Sequence, residues 1–365
     1  MSSDTKAPVV NVKVTKERLA GTERRTRRGQ EPVPAGGSLK ADGTPDYGIF
    51  GPGSLVWEVL LSPAGVYFHH IGQATAQDIY KPVPAGARDW EPLSRQARQG
   101  TLTVFDMYER IARGAGMHLP MWLGDTPTAE HMAAWLHKIH GKVAGDIIDI
   151  AHPEIGGYSA SEPRDAMWAA LTELHPLLRM YEAFAFRDGK LPHRLSPAQR
   201  DQFMAETAAY CRLHGAPEDE IPTTMAELDA LYEKYSDLFT HSDTIHISPE
   251  DGKDIRKVMN ESVKKNFHIS QLRAALPVLV VYLIVGLPAT GALSGKARRA
   301  MGVGPVRDRL AVISTKLFLP IAWLLQRGPM QRYVMRTVWG PDGTKLILSA
   351  RELHKRVLAE RAAGA

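Results

Sequence analysis

Apolar residues along this chain recur every three to four positions in block after block, the periodicity of helices with one buried face. Start and stop residues punctuate the blocks. "GPGS" (51–54) is a turn that leaves Ser54 to cap a helix carrying Leu55, Val56, Val59 and Leu60, and "SPAG" (62–65) opens a second with Pro63 in its first turn. "YKPVPAGARDWEP" (80–92) reads as a loop, residues 93–114 as one helix, and "GDTPTAE" (124–130) as the next start, capped by Thr126 or Thr128. Further on, Ser161 is expected to cap a long helix kinked at Pro176. Ser196 and Pro197 start another that Gly215 ends, and Thr224 with Glu227 forms a capping box. Strand-like alternation is confined to residues 9–14, and there is no internal repeat. The pattern predicts an all-α, multi-helix fold.

Charge changes this picture only at the N-terminus. Residues 1–40 hold nine Lys/Arg against four Asp/Glu, which accounts for the whole formal excess of +5. The body of the chain is therefore neutral and offers no basic surface to a phosphate backbone, so nucleic acid is not an expected partner. "ERRTRRGQEPVPAGG" combines charge, proline and glycine, and predicts a disordered basic arm over 1–45. No apolar run follows its arginine pairs, so a twin-arginine export signal is rejected. A single cysteine, Cys211, excludes an internal disulfide framework and any multi-cysteine metal site, and makes a cytoplasmic compartment the expectation.

Residues 274–293, "AALPVLVVYLIVGLPATGAL", run twenty positions without charge before "GKARRA" supplies three. A spanning helix needs about 20 apolar residues. Pro277, Gly286, Pro288 and Gly291 disturb the run, and the mean hydropathy of the whole chain is negative. We read it as a buried or interfacial helix, with a peripheral membrane contact through 274–293 and "LFLPIAWLL" (317–325) as a second contact. The expected organisation is an arm (1–45), a helical core (46–265) and C-terminal helices packing on that core or at a membrane (266–365).

Chemistry concentrates in "TAEHMAAWLHKIHGKVAGD" (128–146), with His131, His137 and His140. On a helix over 132–150, Met132, Trp135, Leu136, Ile139, Val143, Ile147 and Ile150 form one stripe. His140 then lies about 60° from its centre, and His131 and His137 about 120° away. Ala133, Gly141 and Ala144 beside His140 would leave a flat space, which suits a haem held by one shielded imidazole. The other reading of the same position is a histidine satisfied at the core boundary. Zinc lacks a His-Glu-x-x-His pattern, a Glu-x-x-His di-iron pattern is absent, and no nucleotide-binding glycine motif or Gly-x-Ser-x-Gly elbow occurs.

Five segments in order, "YGIFGPGSLVWEVLLSPAG", "LGDTPTAEHMAAWLHKIHGKVAG", "YSASEPRDAMWAAL", "LSPAQRDQFMAETAAYCRLHGAP" and "IPTTMAELDALY", resemble the MpaB / rubber-oxygenase (latex clearing protein) family over roughly residues 46–240. The resemblance implies an all-α fold related to the globin-like arrangement. It further implies b-type haem, dioxygen as co-substrate and an apolar, isoprenoid or lipid-like substrate. The family's haem ligand falls on His140, which the helical wheel also selects. The family's Trp-x-His in the next helix is here Trp168 followed by Ala170, leaving Trp168 with Ala133, Gly141 and Ala144 as expected cofactor-lining residues. The family's Arg/Lys/Thr distal group is not recovered. Arg110, Arg113 and His70 are the candidates for handling oxygen, with Tyr108 and His118 weaker ones. The expected function is a haem-b-dependent oxygenase. The rival readings are a non-catalytic haem carrier or gas sensor, and a helical interaction protein without cofactor.

Overall fold

The computed structural model describes residues 31–187, 189–268 and 284–364. Ser54 accepts a hydrogen bond from Trp57 N–H and starts α1 (Leu55–Leu61); Ser62 likewise starts α2 (Pro63–Gln77) with Pro63 in the first turn. The stretch expected as a loop forms α3 (Pro82–Trp90), followed by α4 (Pro92–Arg98). Its prolines sit in first turns, where a missing N–H costs nothing, so they start helices here instead of breaking them. The single helix expected over 93–114 is divided. Gly100 takes a φ of 68°, and Thr103 with Asp106 forms a capping box for α5 (Val104–Leu123).

α6 (Thr126–His140) is capped by Asp125, not by either threonine. Asp125 accepts from Thr128 N–H at 3.0 Å and from the Ser38 hydroxyl at 2.6 Å. The helix stops at His140 with Gly141 as its C-cap. The chain then enters β1 (Ala144–Gly145), antiparallel to β2 (Tyr158–Ser159), the one sheet among the described residues. The helix expected through Ile150 is thus corrected. Val143 N–H closes a turn onto His140 C=O at 2.8 Å, and Val143 C=O accepts from Ala160 N–H at 2.9 Å, so the backbone bonds go across to the next segment.

α7 (Pro163–Phe184) begins after Glu162 and not Ser161, and runs on through Pro176. α8 (Pro197–His214) has the expected Ser196 cap and Gly215 end, and α9 (Met225–Lys234) the expected Thr224–Glu227 box. α10 (Ile255–Lys265), α11 (Gly286–Ala292), α12 (Gly295–Ala300), α13 (Pro305–Leu317), α14 (Leu319–Leu325) and α15 (Gly328–Gly364) complete an all-α fold.

The most extensive helix pair is α2 against α7. Gly72 permits it: a Cβ there would lie 3.0 Å from Met180 Cγ and 3.6 Å from Pro176 Cβ. Phe68 and Phe184 meet beside it at 4.6 Å between ring centroids. α15 packs along α5 and breaks at Gly340, whose φ of 70° precedes Pro341. At the break Trp339 Nε1 donates to Val66 C=O of α2 at 2.9 Å. One core thus joins Trp57, Trp122, Trp168, Phe184, Trp339 and Ile347.

Two expectations about the chain ends are revised. Residues 31–45, read as part of a disordered arm, are ordered: Ala35 N–H donates to Leu123 C=O at 2.9 Å and Gly36 N–H to Asp46 C=O at 2.6 Å. Residues 1–30 lie outside the described residues, as do 269–283 of the apolar run. In the described end of that run Val285, Pro288, Ala289 and Leu293 are buried, with α11 packed on α13. The exposed apolar side chains stand on α13 and α14 instead, where Leu317 is 73% exposed and Leu324 56%. No helix among the described residues is long and apolar enough to cross a membrane.

Asp125→Ala should destabilise the protein by about 2 kcal/mol in urea denaturation, one cap and one buried hydroxyl partner being lost together. It should also open residues 31–45 to limited proteolysis. Unchanged stability would show that Asp125 does not hold this junction.

Candidate functional site

The interior polar chemistry gathers around one carboxylate. Glu173, in the middle of α7, is 1% exposed. Its Oε2 accepts from the Tyr210 hydroxyl of α8 at 2.9 Å. Its Oε1 lies 2.5 Å from Nδ1 of His118 on α5 and 3.6 Å from Nε2 of His69 on α2. Of these contacts only the Tyr210 one is a hydrogen bond; both imidazoles lie beside Oε1 without bonding it. Burial and Glu173 push the Tyr210 phenol well above its ordinary range, so it remains a donor.

Aromatic rings fix the imidazoles. Trp122, one turn beyond His118, stacks on it at 5.5 Å and meets His69 edge-on at 4.6 Å. Trp122 is itself held where its carbonyl accepts from Trp57 Nε1 at 3.0 Å. His70 lies 5.1 Å from His69 and 4.7 Å from the Trp339 ring, both between centroids. Burial, then His70 and His118, hold His69 well below the usual histidine range.

His140 lies within electrostatic reach of His118. It is half-buried at the last position of α6, and no hydrogen bond of its ring is found among the described residues. Burial, then His137 and His118, pull it down to about 4. His214, at the end of α8, is pulled to about 3 by burial, then His140, His118 and His137. His137 Nε2 in turn meets His214 C=O at 3.1 Å, tying α6 to α8. His140 and His214 are therefore neutral at pH 7, each with a lone pair on one ring nitrogen.

Of the residues picked out from sequence, His140 and His70 lie in this assembly and Ala133 is buried on the inner face of α6. Gly141 is the C-cap and Ala144 an exposed strand residue, so the flat helical flank expected beside His140 is not formed, because α6 ends there. Trp168 is fully buried in a separate aromatic cluster, 4.8 Å from Tyr232 and 4.6 Å from Phe239. Arg110 is exposed and pairs with Glu91 at 2.9 Å. The side chains of Arg113 and Tyr108 lie outside the described residues.

Glu173, His69, Tyr210 and His214 were missed, and His118 was ranked low. They come from four helices, and only Tyr210 and His214 share a helical spacing, four apart on α8; an isolated buried Glu or His inside an apolar stripe was the other signal. Among the described residues no group of three or more His, Cys, Asp or Glu is arranged to hold a metal ion. Two surface clefts, of about 450 and 500 Å³, lie elsewhere, one beside Gly145, Tyr158 and Arg164 and one beside Lys81, Ile155 and Tyr235.

Residues 84–327 match the protein family described as "ER-bound oxygenase mpaB/B'/Rubber oxygenase, catalytic domain". Comparison with curated proteins and with solved structures gives no match.

The depressed histidines set an acid sensitivity. The unfolded chain protonates its histidines near pH 6.5, whereas folded His140 and His214 wait until about 4 and about 3. Between those limits the unfolded state binds more protons, so stability is full above pH 6.5 and falls as pH drops through the window. Urea midpoints measured from pH 7 to 4 should follow that slope, and His214→Leu should flatten it. A variant as acid-sensitive as the wild type would contradict this assignment.

Proposed function

Since the chain belongs to the mpaB/B′ and rubber oxygenase catalytic-domain family, we propose that it is a haem-b-dependent oxygenase that oxidises or cleaves an apolar, isoprenoid or lipid-like substrate with dioxygen, and that His140 is the iron ligand. The observation that carries this reading is a half-buried His140, kept neutral chiefly by burial, on a helix of the same core as His118, whose own Nδ1 lies beside a buried carboxylate.

The donor chemistry fits a haem. A bare metal ion would need three or four protein ligands, which are not arranged among the described residues. A macrocycle supplies four, leaving one imidazole to the protein, and His140 has that lone pair free of a hydrogen bond. Bound there, haem would supply the one-electron and dioxygen chemistry that side chains lack.

The chain's own residues then manage protons and water. With Nδ1–H of His118 turned to Glu173, Nε2 carries the ring's lone pair when neutral and a second hydrogen when protonated. His118 can take up a proton at Nε2 and hand it on. Tyr210 holds Glu173 in place. Trp122 and Leu136 keep the surroundings dry, which strengthens these interactions and suits an apolar substrate. Delivery of that substrate from a membrane surface is supported by Leu310, Ile313, Leu317, Ile321 and Leu324, exposed on α13 and α14. Arg307, Arg309, Lys316 and Arg327 lie in the same stretch.

The absorption spectrum of protein expressed with added haem tests the reading. A Soret band near one haem per chain is expected, lost in His140→Ala. His118→Ala should keep the haem but slow dioxygen uptake with isoprenoid substrates by about a hundredfold. A folded, colourless wild type would overturn the oxygenase reading.

A further inference from the structure

A second concentration of charge lies on the far half of α7, and the oxygenase reading makes no use of it. His175, Arg179 and Glu182 are four and then three residues apart, which puts them on one face of that helix. Arg200, in the first turns of α8, leans onto this face. Its side chain is only 12% exposed, and its Nε lies 3.2 Å from Glu182 Oε1, out of line for a hydrogen bond. Arg194, from the loop between α7 and α8, approaches the other oxygen of Glu182 at 3.9 Å.

The balance of charge and of hydrogen bonds does not close. Three guanidinium groups face a single carboxylate, and Glu182 already accepts from Leu195 N–H at 3.1 Å. Four buried nitrogens have no hydrogen-bond partner: Arg179 Nε, Arg200 Nε, Arg200 Nη2 and His175 Nε2. Burial and the neighbouring Arg200 pull the Arg179 guanidinium below its ordinary range. Burial, then Arg179 and Arg200, hold His175 neutral. Its Nδ1 is 3.3 Å from the Tyr232 hydroxyl, which burial keeps protonated. The three orphaned guanidinium nitrogens are donors, and Nε2 of His175 joins them in the tautomer in which Tyr232 donates to Nδ1.

Buried donors and cations left without acceptors cost free energy unless something supplies negative charge and oxygen atoms. A carboxylate offers two coplanar oxygens. A tetrahedral oxyanion offers oxygens in several directions and up to two charges, which suits donors arriving from two helices. We propose that His175, Arg179 and Arg200 form a binding site for a phosphate-type oxyanion, taken either as free phosphate or as the phosphomonoester head of an amphiphile.

Thermal unfolding of the full chain tests this, with inorganic phosphate, dodecyl phosphate below its micellar concentration, and acetate and chloride at matched ionic strength. Near a hundredfold excess over Kd, the oxyanion should raise Tm by about 2–4 °C. Arg179→Gln and the paired variant Arg200→Gln with Glu182→Gln should abolish that rise. A wild-type readout comes from the phosphorus-31 resonance of phosphate, which should broaden with protein and sharpen when sulfate competes. An effect of inorganic phosphate supports the site with a free anion as ligand. An effect of dodecyl phosphate alone, lost in both variants, supports it with an amphiphile head. Equal shifts from acetate or chloride, shifts that persist in both variants, or neither shift nor broadening would overturn it. None of these readouts involves haem, so this site stands or falls apart from the oxygenase reading.

Discussion

The buried carboxylate of Glu173 is the constraint around which the interior is organised. A carboxyl group at the middle of a helix with 1% exposure is tolerated where other elements bring polar groups to it. Here α8 brings Tyr210, α5 brings His118 and α2 brings His69. Each of those helices must then lie at a fixed height and rotation against α7. The close α2–α7 approach at Gly72 and the Trp122 ring between His118 and His69 follow from the same demand. Packing and the Tyr210–Glu173 hydrogen bond thus point to one arrangement.

The fold was legible in the sequence wherever a local side chain does the work. Ser54, Ser196 with Gly215, and Thr224 with Glu227 end or begin helices through hydrogen bonds within four residues, and all three readings hold. Errors arose where the deciding bond is remote or ambiguous. Asp125 displaced the two threonines because Ser38, far away in sequence, also holds it. Prolines at 82 and 84 start a helix in one context and interrupt it in another. The run past His140 keeps an apolar periodicity, yet its backbone bonds are claimed by the segment around Ala160.

The site was legible only in part for the same reason. His140 shows itself by lying beside a stripe of apolar residues on its own helix. His118 and Glu173 look like single polar interruptions of apolar faces, and only the helix arrangement turns them toward each other. Arg110 was one of two arginines that could stand for the unrecovered distal group, but it is exposed and pairs with Glu91. A charged side chain reports its partner only after the fold has been built.

The break in α15 at Gly340 makes the working unit larger than the recognisable one. The family match runs from residue 84 to residue 327. Yet His69 and His70 come from α2, before the match begins, and Trp339, which contacts His70 and donates to Val66, lies beyond its end. The interior is closed by two flanking segments that hold one another through the Trp339 indole, through Arg351 Nε on Leu61 C=O and through Gly53 N–H on His354 Nδ1. Sequence in those flanks is free to drift beyond recognition as long as the closure is kept. Relatives of this chain can therefore share the central helices while differing in the side chains that the flanks bring against them.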